Sequence, residues 1–487
     1  MKKLIPVTLA VASANFATAL PIDWHGEFQV DTNRIEEFRR IESTDDNSAA
    51  NAGTQEVALG SGQKSNASFQ SYIFKLMPEI IVNDSTTLKA VLTSGYGNGG
   101  VWGDSSQKKK VPTTAGTEFA NALYSHNTVS DNSINLTQAY ATFYSDAATY
   151  QLGRFATNWG LGAIHNDGSE LGSHHATIRD GLKVNFKIGN FMISPYTAKI
   201  SSGDSLTKST RIKESGISLL YNNLDQEMSF GILYAKNKAS NFANLSEDID
   251  GDNTAKVNLG KTDVKITDLY FKKSFGKFST EIEVPIMSGE LGKLYSATGN
   301  ANYKAKAILV HSTYAHNSNH IFNFNVGKVS GDAGNQDSYE ALFLNPNFQI
   351  ANVLFRYNTA AVSDTNQNIY DSYVTNTFYL KFAHTYEAGK WNWTNSVIWA
   401  KAEEVAKAGE NGYNHQTNKT FTATFNQEDD LGIEIDSDFT YKWNTSVTLG
   451  GSFGYLMTGD YYAYTNTAAK NTVKDSYVLK AFANVKF

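Results

Sequence analysis

The sequence predicts an all-β chain, a transmembrane antiparallel β-barrel of eighteen strands, with 16 or 20 strands as the alternatives. Three observations predict it: roughly ten-residue segments with period-two hydrophobicity, connections that alternate between very short turns and long polar loops, and a last segment that ends on Phe487. A soluble sandwich has no reason to make every second connection long. A barrel with turns on one rim and loops on the other does.

Lys2 and Lys3, the apolar run 4–14 and the small residues Ala17-Thr18-Ala19 have the pattern of an export signal over 1–19, which leaves 20–487 as one barrel domain. The first segment, 22–32, carries Trp24 near its start; 67–82 and 86–95 flank the turn Asn83-Asp84-Ser85. Segments 133–145 and 148–158 meet at 146–147. Segments 180–189 and 191–201 meet at Gly189-Asn190, with Leu182, Val184, Phe186 and Ile188 alternating against Lys183, Asn185 and Lys187. Then come 214–222 and 228–238 around a turn at 223–226. Next are 263–275 and 278–288 around Gly276-Lys277, where Phe278, Ile282, Val284 and Ile286 oppose Glu281 and Glu283. Segments 303–316 and 320–330 join at Asn317-Ser318-Asn319, and 375–387 and 391–403 at 388–390. In 429–442, Leu431, Ile433, Ile435, Phe439 and Tyr441 share a face with Trp443, opposite Glu434, Asp436 and Asp438; a turn at 443–444 leads to 445–457. Segment 474–487 closes the count with Leu479, Ala481, Ala483, Val485 and Phe487 on one face. The apolar stretch 347–358 could be a strand, but counting it would move the turn Glu387-Ala388-Gly389-Lys390 to the wrong rim. It is therefore placed in a long loop, 332–373, that folds into or over the pore.

Composition narrows the function. Lys and Arg total 42 against 48 Asp and Glu, giving a net charge of −6 on 487 residues, which speaks against nucleic acid as a partner. Export without a cysteine excludes a disulfide-stapled scaffold. No G-x-S-x-G or comparable nucleophile motif occurs, so no enzyme activity and no cofactor are expected. Asp248, Asp250 and Asp252 open like a calcium loop, but Asn253 and Leu259 occupy the positions that need glycine and an acid, so this is a weak calcium candidate and no metal is assigned. His165, His174 and His175 match no metal-ligand spacing and are taken as loop residues.

The stretch 431–462 resembles the closing hairpin of alginate-export-like porins of Gram-negative bacteria, through Gly432, Glu434, Asp436, Gly459 and Asp460. Segment 140–160, with its strand, turn and Gly153-Arg154, is similar to the same group. The resemblance implies a porin-like channel in the cell outer membrane and does not carry over alginate as substrate. The expected function is passive diffusion of small hydrophilic solutes. A substrate-selective or polysaccharide-export channel is one alternative, and a plugged barrel acting as adhesin or surface coat is another. Expected partners are outer-membrane lipid and lipopolysaccharide, the barrel insertion machinery through Phe487, small polar solutes and a possible second copy of the chain.

Pore-lining candidates are Arg154, Lys183, Lys187, Glu281, Glu283, Lys304, Lys306, Arg356, Lys381, Glu434, Asp436 and Asp438, mixed in sign around the wall. Arg154 poses a problem of parity, because it follows Tyr150 and Leu152 on the apolar side. A lipid-facing arginine is costly toward the midplane, so a bulge at Gly153 is expected to turn Arg154 into the lumen.

Overall fold

The computed structural model describes residues 21–42, 65–94, 134–202, 211–239, 262–292, 301–334, 338–362, 368–416, 418–466 and 471–487, with the strand pieces Gly100–Val101, Lys108–Lys109 and Phe119–Ala120. The export-signal residues, the calcium candidates Asp248, Asp250 and Asp252, and most of the 96–132 loop lie outside the described residues.

Eighteen long strands form the wall: β1 (Ile22–Glu36), β2 (Asn66–Asn83), β3 (Thr86–Ser94), β4 (Ile134–Tyr144), β5 (Ala148–Ala156) and β6 (Ile178–Ile188). They continue as β7 (Phe191–Ser202), β8 (Arg211–Asn223), β9 (Met228–Ala239), β10 (Thr262–Phe275), β11 (Phe278–Leu291) and β12 (Asn302–Ala315). The last third is β13 (His320–Val329), β14 (Thr377–Ala388), β15 (Trp391–Ala402), β16 (Asp430–Lys442), β17 (Val447–Thr458) and β18 (Ser476–Lys486). Each pairs antiparallel with its sequence neighbours, and β1 pairs with β18 from Glu27 opposite Lys486 to Glu36 opposite Tyr477, which closes the barrel. Stretch 347–358 contains no strand.

Closure follows from the alternating pattern. With no free edge, every strand finds two partners, and the period of two sends alternate side chains to lipid and lumen. Leu152, Leu182, Ile217, Ile232, Leu269, Ile286, Phe324, Phe382, Val397 and Ile435 are exposed on the outside. Trp24, Trp391, Trp393 and Trp443 crowd the short-turn rim, each more than half exposed. This is the position an indole takes at a lipid interface. At the same rim Gly26 exchanges backbone hydrogen bonds with Phe487 (2.7 and 3.1 Å), so the chain's last residue zips the seam.

The turns are tight for a local reason. Gly276 sits at φ +61°, a left-handed conformation that glycine adopts without strain, and lets β10 reverse into β11 within two residues. At the opposite rim the 330–376 segment turns inward. Its Leu342, Leu344, Phe348, Ile350, Val353 and Leu354 are buried with Ala305, Ala307, Leu309, Ile398 and Leu456 of the wall. The hydrophobic core of the molecule therefore lies inside the barrel, between loop and wall.

Four residues face otherwise than the pattern suggested. The β5–β6 register runs unbroken from Ala148 opposite Phe186 to Ala156 opposite Ile178, so no bulge intervenes at Gly153. Arg154 keeps the parity of Tyr150 and Leu152 and faces outward, not into the lumen. Lys304 and Lys306 are exposed on the outward parity of Ile308, while Ala305, Ala307 and Leu309 face in. In that part of the wall the lumen holds an apolar loop, so small apolar residues point inward, and the lysines sit near the rim where the strand leaves lipid. Leu431 also leaves the predicted face. A register shift between Ala400 and Lys401 makes it the extra residue, and it is buried in the core at 3 % exposure.

Candidate functional site

Two loops meet inside the barrel. The first, 157–177, links β5 to β6, and the second, 330–376, links β13 to β14. Each is held by carboxylates that project from the wall.

Glu283 on β11 is fully buried, and its Oε2 accepts hydrogen bonds from the Leu161 N–H (2.5 Å) and the Ala163 N–H (3.5 Å). A Cβ added at Gly160, φ +56°, would lie 2.6 Å from that oxygen. Only glycine lets the loop come so near the carboxylate. Further along the same loop, the Gly172 N–H donates to Glu27 Oε1 on β1 (2.7 Å), and Lys75 Nζ on β2 donates to the Gly168 carbonyl (3.3 Å). In a ring of eighteen strands β1 and β11 stand nearly opposite each other. The loop thus crosses the lumen from wall to wall.

The second loop is pinned in the same manner. Glu434 on β16 accepts from the backbone N–H groups of Asn352 (2.7 Å), Val353 (2.6 Å) and Leu354 (2.8 Å). Asp436 accepts a longer bond from Asn352 N–H (3.3 Å), and Asp438 accepts from the Asn352 side-chain amide (3.1 Å). Lys381 on β14 donates to the Ile350 carbonyl (2.8 Å). The loop then reaches the other side, where the Tyr370 hydroxyl meets Ser71 on β2 (2.5 Å) and Tyr357 donates to Asn33 on β1 (3.1 Å).

The loops also bind each other. Asn347 donates to the His175 carbonyl (2.8 Å) and to Asn166 (3.0 Å), and the Asn345 N–H donates to the Ala163 carbonyl (2.7 Å). His174 stacks on Tyr370 with ring centroids 3.5 Å apart. Between them lies a cavity of about 240 Å³ lined by Glu170, His174, His175, Asn347, Gln349 and Arg356, among others. It brings a cation, an acid, imidazoles and amides together.

The remaining candidates spread along the wall. Glu281 accepts from Tyr270 (2.8 Å) and Lys272 (2.9 Å). Lys183 and Lys187 share the inward parity of Arg179, whose guanidinium grips the buried Glu214 on β8 at 2.5 and 3.1 Å. Arg154 is bound to Asp180 through two hydrogen bonds (2.7 and 2.8 Å) on the outer face, and Lys304 and Lys306 stay outside. Asp31 with Lys480 (3.1 Å) and Glu27 with Lys75 (3.6 Å) add ion pairs on the inner wall. Sequence reasoning did not reach the 157–177 loop as a pore element. The signal that could have found it is the pair Gly160 and Gly162 in a loop rich in Asn, Asp and His.

Two loop histidines are held neutral. Burial beside the Arg179 cation pushes His165 down to about 4, and burial pushes His415 down to about 3. His415 Nε2 accepts the Asp332 N–H (2.8 Å), tying the 403–429 loop to the 330–376 loop. Burial likewise lowers His175, against the pull of Asp371.

No protein family and no curated relative matches the chain in sequence. Solved structures do match in fold. Pseudomonas aeruginosa OccK2 (OpdF) in complex with glucuronate superposes with a TM-score of 0.50 at 8% identity, covering 96% of each chain. Pseudomonas aeruginosa OpdL gives 0.50 at 10% identity over 96% of this chain and 98% of that one. Acinetobacter baumannii OccAB1 gives 0.50 at 10% identity over 96% of both. The chain, a closed barrel of eighteen long strands, therefore shares the fold of these proteins along almost its whole length.

Proposed function

We propose that this chain is an outer-membrane channel through which small hydrophilic solutes diffuse passively, with the 157–177 and 330–376 loops setting the size limit. The observation that carries the reading is the double bracing of the lumen: each loop is fixed to the wall at both ends of its path by buried polar groups. A loop without a task in the pore has no reason to bury carboxylates at such desolvation cost. No cofactor is needed, since water and wall dipoles replace the hydration a solute would lose in lipid.

A second reading is supported by the cavity between the loops. Arg356, His175, Glu170 and the amides of Asn347 and Gln349 converge there. Such a mixed lining favours a polar solute with a carboxylate and hydroxyls, which makes the channel selective. One barrel of this fold was solved with glucuronate. The finer partners belong to the same proposal: lipopolysaccharide outside, delivery by the insertion machinery through Phe487, and association with a second copy.

The test is a planar bilayer. A general channel gives steady, ohmic steps with little preference between K⁺ and Cl⁻, and a selective one gives steps blocked by glucuronate more than by a neutral sugar. The absence of steps at any voltage overturns both readings and favours a plugged surface protein.

A further inference from the structure

Cations on the lipid-facing surface gather on one side of one rim. Near the loop ends of β7 to β10, Lys199 stands opposite Lys213, Lys213 opposite Lys238, and Lys236 opposite Lys265. On the next strands Lys265 is opposite Ser288, and Ser288 opposite Lys304. All these positions share the outward parity of Ile217, Ile232, Leu269, Ile286 and Ile308. Like charges placed directly opposite in a sheet repel, and three such pairs side by side call for an anion.

The protein supplies too few. Asp180 stands opposite Lys199 but is held by Arg154 through two hydrogen bonds, and Asp263, opposite Lys238, lies 2.7 Å from Lys236 with Glu290 on its other side, so two aspartates are shared among Lys199, Lys236, Lys238 and Arg154. Lys213, Lys265, Lys304 and Lys306 are exposed and form no ion pair among the described residues. At a similar height on the far side of the barrel, β16 to β18 present Ile433, Met457 and Leu479, and the cations that flank them are matched, Arg34 by Glu36 and Lys401 by Asp429. The charge is therefore a local patch.

Its position specifies the anion. Two to four residues nearer the membrane middle, Ile217, Tyr234, Ile286 and Ile308 begin the exposed apolar belt. A ligand bound here meets ammonium groups above and hydrocarbon below, so it is an amphiphile with an anionic head. Adjacent strands are about 4.8 Å apart, so one phosphate can reach lysines from neighbouring strands and accept from each.

We infer that the outer face of β7–β12 is a binding site for the phosphates of an outer-leaflet phosphorylated glycolipid, with Lys199, Lys213, Lys236, Lys238, Lys265 and Lys304 as its cationic groups. The inference rests on the reading of the chain as an outer-membrane barrel, not on its conducting anything. Arg154 and Asp180 mark the edge of the patch, where the cation is already matched.

The test uses the full mature barrel refolded in detergent and titrated with bisphosphorylated lipid A and with its dephosphorylated form, read by native mass spectrometry. The expected result is at least tenfold tighter binding of the phosphorylated lipid. That preference falls to within twofold in the triple variant K213Q/K265Q/K304Q and persists in K401Q, whose lysine already faces Asp429 at 3.3 Å. Equal binding of the two lipids, an unchanged preference in the triple variant, or a second copy of the chain in place of lipid overturns the inference. Bilayer conductance is read separately on the same samples. A silent channel that still binds the lipid sinks the transport reading alone, and a conducting one without phosphate preference sinks this inference alone.

Discussion

At the scale of single residues the structure turns on a few carboxylates. Hydrogen bonds to a buried charged group are worth about 1.5–3 kcal/mol each, and Glu434 accepts three from main-chain N–H groups. The variant E434Q keeps the shape and removes the charge. It is expected to loosen the 330–376 loop, raise single-channel conductance about twofold or more and open that loop to protease. Unchanged conductance with an unchanged digestion pattern argues against a braced loop. G160A drives a methyl into Glu283 and should reproduce the effect of E283Q on the 157–177 loop.

The buried histidines add a pH dependence whose sign is set by linkage. His165 binds a proton near 6.5 when unfolded and only near 4 when folded. Its contribution is fully present above about pH 6.5 and is lost as the pH falls toward 4, at a cost on the order of 3 kcal/mol. Loop protection against protease should therefore fade between pH 6.5 and 4, and the double variant H165Q/H415Q should flatten the profile. Arg154 belongs to the same scale. In a double-mutant cycle read by urea unfolding in vesicles, the losses of R154A and D180A should sum to more than the loss of the double variant, because each single change leaves one charge alone on the lipid-facing surface. Additive losses would show that the pair contributes nothing.

At the scale of elements, what the sequence revealed and what it concealed have one cause. Strands were legible because their period is local: Leu182, Val184 and Phe186 need no partner to announce a face. Turn parity was legible too, and it kept 347–358 out of the strand count. The facing of Arg154 was not, because the remedy for a lipid-facing guanidinium was a carboxylate twenty-six positions away on the next strand, not a local bulge. Lys304 and Lys306 misled for a second reason. The rule of polar inside and apolar outside inverts where an apolar loop packs on the wall, and the loop's landing place is set by the distant Glu434. The 157–177 loop stayed hidden on the same ground, since nothing in its own residues states that Glu283 and Glu27 stand ready on opposite walls.

At the scale of the whole molecule, the closed seam is the claim most directly tested. Val30 on β1 stands opposite Ala483 on β18, and the chain has no cysteine to confuse the result. Val30→Cys with Ala483→Cys should therefore form a disulfide in the folded barrel and migrate as a crosslinked species after denaturation. A register slip of one residue puts the two on opposite faces and prevents it. The fold class and strand number were read from alternation and turn order alone, while the interior was not. A barrel wall is specified strand by strand, but what fills it depends on contacts between residues from 80 to more than 300 positions apart.

The way the loops are held also bears on how such a chain can change over generations. Glu283 and Glu434 grip main-chain N–H groups, which nearly every amino acid supplies. The side chains at 161, 163, 352, 353 and 354 can therefore drift without releasing either loop from its carboxylate, provided the apolar packing is kept and position 160 stays glycine. A barrel built this way can rewrite most of its text and keep its architecture.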